Sequence, residues 1–201
     1  VIIPRRCYEM IAEDLSYDPY LLKTLPTNSI KYFLDIGASY GLISIQARLN
    51  HPKMKVHAFE PDSDLFSTLN KNIENLHIHT YNYALGDGSE FGLEKERKTP
   101  LCNIYSKNQS LKSVKSLTLS QMISLCKMDP TDLIIKSDCE GAELYLLNSP
   151  EILLQCKVLV AEIHSNELLH KFQDFYAQNS YYYFTVIDLS FDRIQIQVTK
   201  I

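Results

Sequence analysis

The run Phe33-Leu34-Asp35-Ile36-Gly37-Ala38-Ser39-Tyr40-Gly41 constrains the fold more than any other stretch of this chain. Residues 31–36 are apolar and β-prone, Gly37 and Gly41 bracket a short polar turn, and Leu42, Ile43, Ile45, Ala47 and Leu49 then recur at helical spacing. The pattern is strand, tight turn, helix. Glycine admits backbone angles closed to other residues and lets an anionic or zwitterionic group reach main-chain N–H groups at a helix N-terminus. The Gly-x-x-x-Gly spacing counts against the Gly-x-Gly-x-x-Gly dinucleotide fingerprint, and no Gly-x-x-x-x-Gly-Lys-Ser/Thr phosphate loop is present. Alone, the turn is equally a plain strand-to-helix connection.

The rest of the chain narrows that choice. Its 201 residues suit one compact α/β domain over 1–201. No apolar run approaches the roughly 20 residues of a membrane span. A net charge of −4 gives no electrostatic footprint for nucleic acid or an anionic membrane, so neither is expected as a partner. The cysteines Cys7, Cys102, Cys126, Cys139 and Cys156 are scattered, with no Cys-x-x-Cys pair, which fits neither a disulfide framework nor a zinc cluster. Residues 1–6 lack the layout of a signal peptide, and a reducing, cytoplasmic setting is expected.

Residues 7–25 read as one or two short helices, with Asp18 and Pro19 suited to start the second, and 1–25 as a flank over the sheet. Residues 55–60 form a strand ending on Glu60, and Pro61, Asp62 and Ser63 suit a helix start. Glu60 lies about twenty residues beyond the glycine turn, where doubly wound proteins place an acid to hold ribose hydroxyls. Residues 77–83 read as a third strand, and the turn through Ala84, Leu85 and Gly86 leaves it. Residues 89–115 read as a hairpin or surface insertion, with the charge run 94–98 as a solvated face. Residues 117–126 are helix-like, and 157–163 give a strand followed by His164. A helix over 168–178 and an antiparallel hairpin over 181–200, turning at 190–192, complete the pattern.

The second informative stretch is Leu133-Ile134-Ile135-Lys136-Ser137-Asp138-Cys139-Glu140-Gly141-Ala142-Glu143. An apolar strand running into four charged groups is costly unless they pair or bind something. Period-two alternation puts Lys136, Asp138 and, if the strand lasts, Glu140 on one face. They are either an ion-pair network or acids converging on a ligand at the carboxyl end of the sheet.

These stretches, with Phe59-Glu60-Pro61, Ala84-Leu85-Gly86-Asp87 and Glu162-Ile163-His164, resemble in order the FkbM family of S-adenosylmethionine-dependent methyltransferases. The resemblance runs from about residue 32 to 164, and Lys136-x-Asp138-x-Glu140-Gly141-x-Glu143 is its most specific element. Ser39 departs from it, since the family usually has Asn there, although a hydroxyl can still cap the helix. The resemblance implies an α/β class I methyltransferase fold, Rossmann-like, with a doubly wound seven-stranded sheet and a C-terminal antiparallel hairpin. It implies that Asp35, Gly37, Ala38, Ser39 and Gly41 surround the methionine portion of S-adenosylmethionine. Glu60 and Pro61 would lie at the ribose, Ala84 and Leu85 near adenine, and Asp138 near the methionine amino group and methyl. Glu140, Glu162 and His164 would face a small-molecule acceptor, and O-methylation of a hydroxyl on a sugar, polyketide or similar metabolite is implied.

Two routes to the acceptor proton stay open. His164, oriented by Glu162 or Asp138, is the natural base at neutral pH. A divalent ion such as Mg²⁺ on Asp138 and Glu162 would lower the hydroxyl pKa instead. A nicotinamide-dependent oxidoreductase and a non-catalytic scaffold are the alternatives; the absent third glycine and the terminal hairpin count against the first.

Overall fold

Apolar stretches bounded by turn residues become strands stacked side by side, and the stripes between them become the helices that cover both faces. The computed structural model describes residues 30–95, 102–106, 112–189 and 194–201, together with Ile2, Asp18, Tyr20, Leu22 and Lys23. Strand β1 (Tyr32–Ile36), helix α1 (Leu42–Asn50), β2 (Lys55–Phe59), α2 (Ser63–Asn72) and β3 (Ile78–Tyr81) form the first half. Short strands β4 (Ala84–Leu85), β5 (Glu90–Lys95), β6 (Cys102–Ser106) and β7 (Lys112–Leu117) follow. Then come α3 (Leu119–Cys126), β8 (Leu133–Ser137), a 3₁₀ segment (Ala142–Asn148), α4 (Pro150–Leu153), β9 (Val158–Ile163), α5 (Asn166–Ala177), β10 (Tyr182–Leu189) and β11 (Ile194–Lys200).

The main sheet has seven strands in the order β3-β2-β1-β8-β9-β11-β10. All neighbours are parallel except β11, which runs antiparallel to both β9 and β10. The terminal hairpin is therefore threaded so that its second strand sits inside the sheet and β10 forms the edge. The fold is α/β and Rossmann-like, as expected. Alternation sends Ile134 of β8 to the side covered by α1, and Leu133 and Ile135 to the side covered by α3 and α5.

The stretch expected as an insertion makes a second sheet in the order β4-β7-β5-β6. Ala84 and Leu85, read from sequence as a turn, pair with Ser116 and Leu117. The chain after Gly141 runs as a 3₁₀ helix and not as a regular α-helix. The helices expected over 7–25, apart from the single positions above, and the turn at 190–192 lie outside the described residues, as does the charge run at 96–98.

One buried ion pair fixes the top of the sheet. Asp35 and Lys136 are register partners on β1 and β8, with side chains 0% and 3% exposed and Lys136 Nζ 3.0 Å from Asp35 Oδ1. Ser44 Oγ of α1 donates to Asp35 Oδ2 at 2.6 Å, and Lys136 Nζ also donates to the Gly37 carbonyl at 2.8 Å. Burial opposes the ammonium charge, but Asp35 and Asp138 outweigh it and hold the Lys136 pKa above its ordinary value. Two charges so deeply desolvated are tolerable only because each is paired and hydrogen-bonded. Lys136→Met, which strands Asp35 without its partner, should cost about 3–5 kcal/mol of unfolding free energy, read as a lower midpoint in urea. Removing both charges together, as Asp35→Leu with Lys136→Met, should cost less than Lys136→Met alone.

Candidate active site

The carboxyl ends of the parallel strands β1, β2, β8 and β9 lie along one edge of the sheet, where ligands bind in a crevice in open α/β folds, and the glycine turn lies among them. Gly37, Ser39 and Gly41 have φ of 78°, 49° and 85°, so three of its five residues are left-handed. Gly37 has a steric reason to be glycine: a Cβ there would lie 1.8 Å from the backbone oxygen of Asp138. The amides expected to face a ligand are largely occupied. Gly37 and Ala38 N–H donate to the Phe59 carbonyl at 3.0 and 2.9 Å, Gly41 N–H donates to Ala38, and Ser39 N–H donates to Glu60 Oε2 at 2.8 Å. The Ser39 hydroxyl does not cap α1; Gly41 holds the N-cap position and no side chain caps the helix. The turn therefore works chiefly as a joint between β1, β2 and β8, and among the described residues no side chain accepts from the first-turn amides of α1.

Asp35, expected at the ligand, spends both oxygens on Lys136 and Ser44 and lies entirely in the interior. It acts through the turn. Glu60 stands at the end of β2, 4% exposed, with Oε1 accepting from Asp62 N–H at 2.8 Å and Oε2 from Ser39 N–H. Burial raises its pKa to about 7, against the pull of those two amides. Pro61 is fixed by its carbonyl, which accepts from Asn82 Nδ2 at 2.9 Å, and Asn82 also reaches the Glu60 carbonyl. Ala84 and Leu85 are buried in the core beside Phe59, so neither side chain opens on the crevice.

Lys136 leaves the acid cluster and turns inward, whereas Asp138, Glu140, Glu162 and His164 converge. His164 Nε2 lies 3.4 Å from Glu140, 3.6 Å from Glu162 and 4.0 Å from Asp138. Its other nitrogen, Nδ1, is 3.4 Å from Glu143 Oε2, so the group that orients the ring is Glu143 and not Glu162 or Asp138. Glu143 is fully buried and accepts from the amides of Cys139 and Gly141, bracing the left-handed pair Glu140 and Gly141. Burial lowers the His164 pKa, but the hydrogen bond and charge of Glu143, then the charges of Glu140 and Asp138, lift it to about 9. At neutral pH His164 is an imidazolium, not a ready base. Asp138, Glu140 and His164 also offer three ligand atoms within 4.8 Å of one another, a spacing that suits a divalent cation.

Two contributors escaped the sequence reading. Glu143 was visible as part of the charged run, but its role depends on a turn that brings its carboxylate back onto the amides of Cys139 and Gly141. Tyr20 gave no assignable signal: its hydroxyl donates to Asp138 Oδ2 at 3.2 Å and its ring stands 5.3 Å from Lys136 Nζ, across more than a hundred residues of chain.

No protein-family model and no curated protein matches the sequence. Solved structures do match the fold. Precorrin-6y C5,15-methyltransferase from Geobacter metallireducens GS-15 superposes with a TM-score of 0.55 at 13% identity, over 90% of this chain and 85% of that one. Methyltransferase FkbM from Methylobacillus flagellatus KT gives 0.60 at 15% identity, over 98% of this chain and 56% of that one. A putative tRNA (m1A22) methyltransferase from Streptococcus pneumoniae, in complex with S-adenosyl-L-methionine, gives 0.52 at 14% identity, over 92% and 72%. At these identities the likeness establishes a shared fold. Among the described residues no helix is long and apolar enough to cross a membrane.

The His164 cluster has a pH signature. A folded-state pKa of about 9 against 6.5 means the stabilisation from its carboxylates is fully present below pH 6.5 and is lost as pH rises through 9. Thermal melts should show this alkaline loss in the native protein and a flatter profile over the same window in His164→Gln.

Proposed function

We propose that this chain is an S-adenosylmethionine-dependent methyltransferase acting on a hydroxyl of a small metabolite such as a sugar or polyketide, and that its nearest relationship is to the FkbM family. One observation carries the reading: the glycine turn touches both halves of the crevice. Ser39 N–H bonds Glu60, and Gly37 packs directly on the Asp138 backbone, so a ligand lying along the turn meets one acid at each end. That pair of acceptors suits the methyl donor, with Glu60 for two ribose hydroxyls and Asp138 for an ammonium beside the reacting centre. The S. pneumoniae neighbour, which holds S-adenosyl-L-methionine on the same fold, supports this choice of cofactor. S-adenosylmethionine, when bound, supplies a methyl on a sulfonium that departs as a neutral thioether.

The chain's own residues then have two tasks, holding the acceptor oxygen in line and taking its proton. His164 takes a proton only in its neutral form. Without a metal, activity should rise with pH toward about 9, because the surrounding carboxylates hold the imidazolium proton. A second reading comes from the three donor atoms of Asp138, Glu140 and His164. Asp138, Glu140 and a neutral His164 would hold a divalent ion, which would supply Lewis-acid activation of the acceptor hydroxyl and a profile nearer neutrality. Activity that survives EDTA, climbs with pH and is lost in His164→Ala supports the base; loss on EDTA with recovery on Mg²⁺ supports the ion. The net charge of −4 favours a small acceptor over nucleic acid or membrane, and a cytoplasmic setting goes with this reading.

Calorimetric titration with S-adenosylhomocysteine and with NAD tests the cofactor. The homocysteine product should bind, and Glu60→Gln should weaken it about tenfold or more through the charge-assisted hydrogen bonds it loses. Binding of NAD alone would overturn the proposal in favour of an oxidoreductase. Binding of S-adenosylhomocysteine with no turnover across an acceptor panel would leave a scaffold.

A further inference from the structure

Acidic groups crowd the carboxyl ends of the strands, and the opposite end of the sheet has the reverse character. At the amino-terminal ends of β1, β2 and β3 an open cavity of about 580 Å³ is walled by Arg48, Lys53, Lys55 and Lys127, with His57 and His79. Among the described residues no carboxylate lines it, in a chain whose net charge is −4. The Arg48 guanidinium is fixed on main-chain carbonyls, with Nε donating to Leu76 at 2.9 Å and Nη1 to Pro52, so its charge cannot swing away. Lys53, Lys55 and Lys127 are exposed, and none of them forms an ion pair with a described carboxylate.

A second, independent feature stands in the wall. His57 is 5% exposed, its Nδ1 lies 3.2 Å from the Tyr81 hydroxyl, and its Nε2 is buried with no hydrogen-bond partner among the described residues. His57 thus lines the cavity while its Nε2 is a polar group that the described residues leave unsatisfied. The ring belongs to a stacked column across β2 and β3, with His57 and His79 centroids 4.9 Å apart and Tyr81 on Phe59 at 4.6 Å. Tyr32 and Tyr81 add aromatic wall. The volume falls within the roughly 300–1,000 Å³ of small-molecule sites and is far too large for a lone inorganic anion.

We propose that this cavity is a second ligand site for a phosphomonoester carrying a planar ring, of the mononucleotide kind, with the phosphate on Lys53, Lys55 and Lys127 and the ring on the His79–Tyr81 wall. None of its walls belongs to the strand-top crevice, so it stands whether or not that crevice holds S-adenosylmethionine. Burial, then the charges of His79 and Lys55, hold the His57 pKa down at about 4, and a bound anion opposes those charges.

The test titrates the full chain with uridine 5′-monophosphate, with uridine as the phosphate-free control, following the histidine imidazole signals by NMR. Uridine 5′-monophosphate should shift His57 and His79 while leaving His164 in place, move the His57 titration upward, and bind more tightly than uridine. The exposed pair Lys53→Ala/Lys55→Ala, whose fold is checked by circular dichroism, should bind about tenfold more weakly. Equal binding of nucleotide and nucleoside, response at His164 alone, or unchanged affinity in the double variant would overturn the site. So would a short single-stranded RNA that engages the lysines when the mononucleotide does not, since that marks a nucleic-acid surface.

Discussion

The contact between Lys136 and Asp35 is the constraint on which the upper half of this protein depends. Both charges have left water, which costs several kcal/mol per ion, and the cost is offset by their mutual attraction and by the hydrogen bonds from Ser44 to Asp35 and from Lys136 to the Gly37 carbonyl. The pairing is also geometric. Because the two residues are register partners, the pair exists only when β1 and β8 align correctly, and the Gly37 carbonyl held by the same ammonium sets where the turn leaves the sheet. Burial raises the Glu60 pKa, and the Lys136 charge opposes that rise only weakly beside the amides of Asp62 and Ser39.

Around that cation the ends of the sheet are chemically distinct. Carboxylates from the ends of β8 and β9 meet at His164, and Glu143 holds the ring through Nδ1 while bracing a turn with two left-handed residues. Such crowding is unfavourable unless a cation is shared among the acids, and a protonated imidazole fills that part. The same arrangement makes His164 a poor base at neutral pH unless a ligand or metal displaces its proton. At the other end, cations gather without carboxylates, and the stacked histidines of β2 and β3 form an aromatic floor.

Much of this was legible in the chain. The order of strands and helices follows from hydrophobic period and turn chemistry, which are local properties: Asp62 and Thr118 cap α2 and α3 with their own side chains, and Pro150 starts α4. The placement of Glu60, Asp138, Glu162 and His164 at the carboxyl ends of parallel strands also follows, since each stands at the end of a strand of a doubly wound sheet. Which groups face outward was not legible. Lys136 read as part of either an ion-pair network or a ligand site, and Asp35 was placed at the methyl donor only by resemblance; in the fold each neutralises the other. Ala84 and Leu85 read as a turn because a glycine follows them, and pairing with β7, about thirty residues on, made them core.

The sequence by itself determined the alternation of elements, the glycine turn and the supply of acids at the strand ends, because periodicity and backbone stereochemistry act over a few residues. Only the tertiary structure decided that Lys136 pairs with Asp35, that Glu143 orients His164, and that Tyr20 reaches Asp138. It alone gathered four scattered cations around His57 and His79. Those relations depend on register and on contacts between distant segments, where burial and Coulomb interaction choose the partner and sequence spacing carries no information about it.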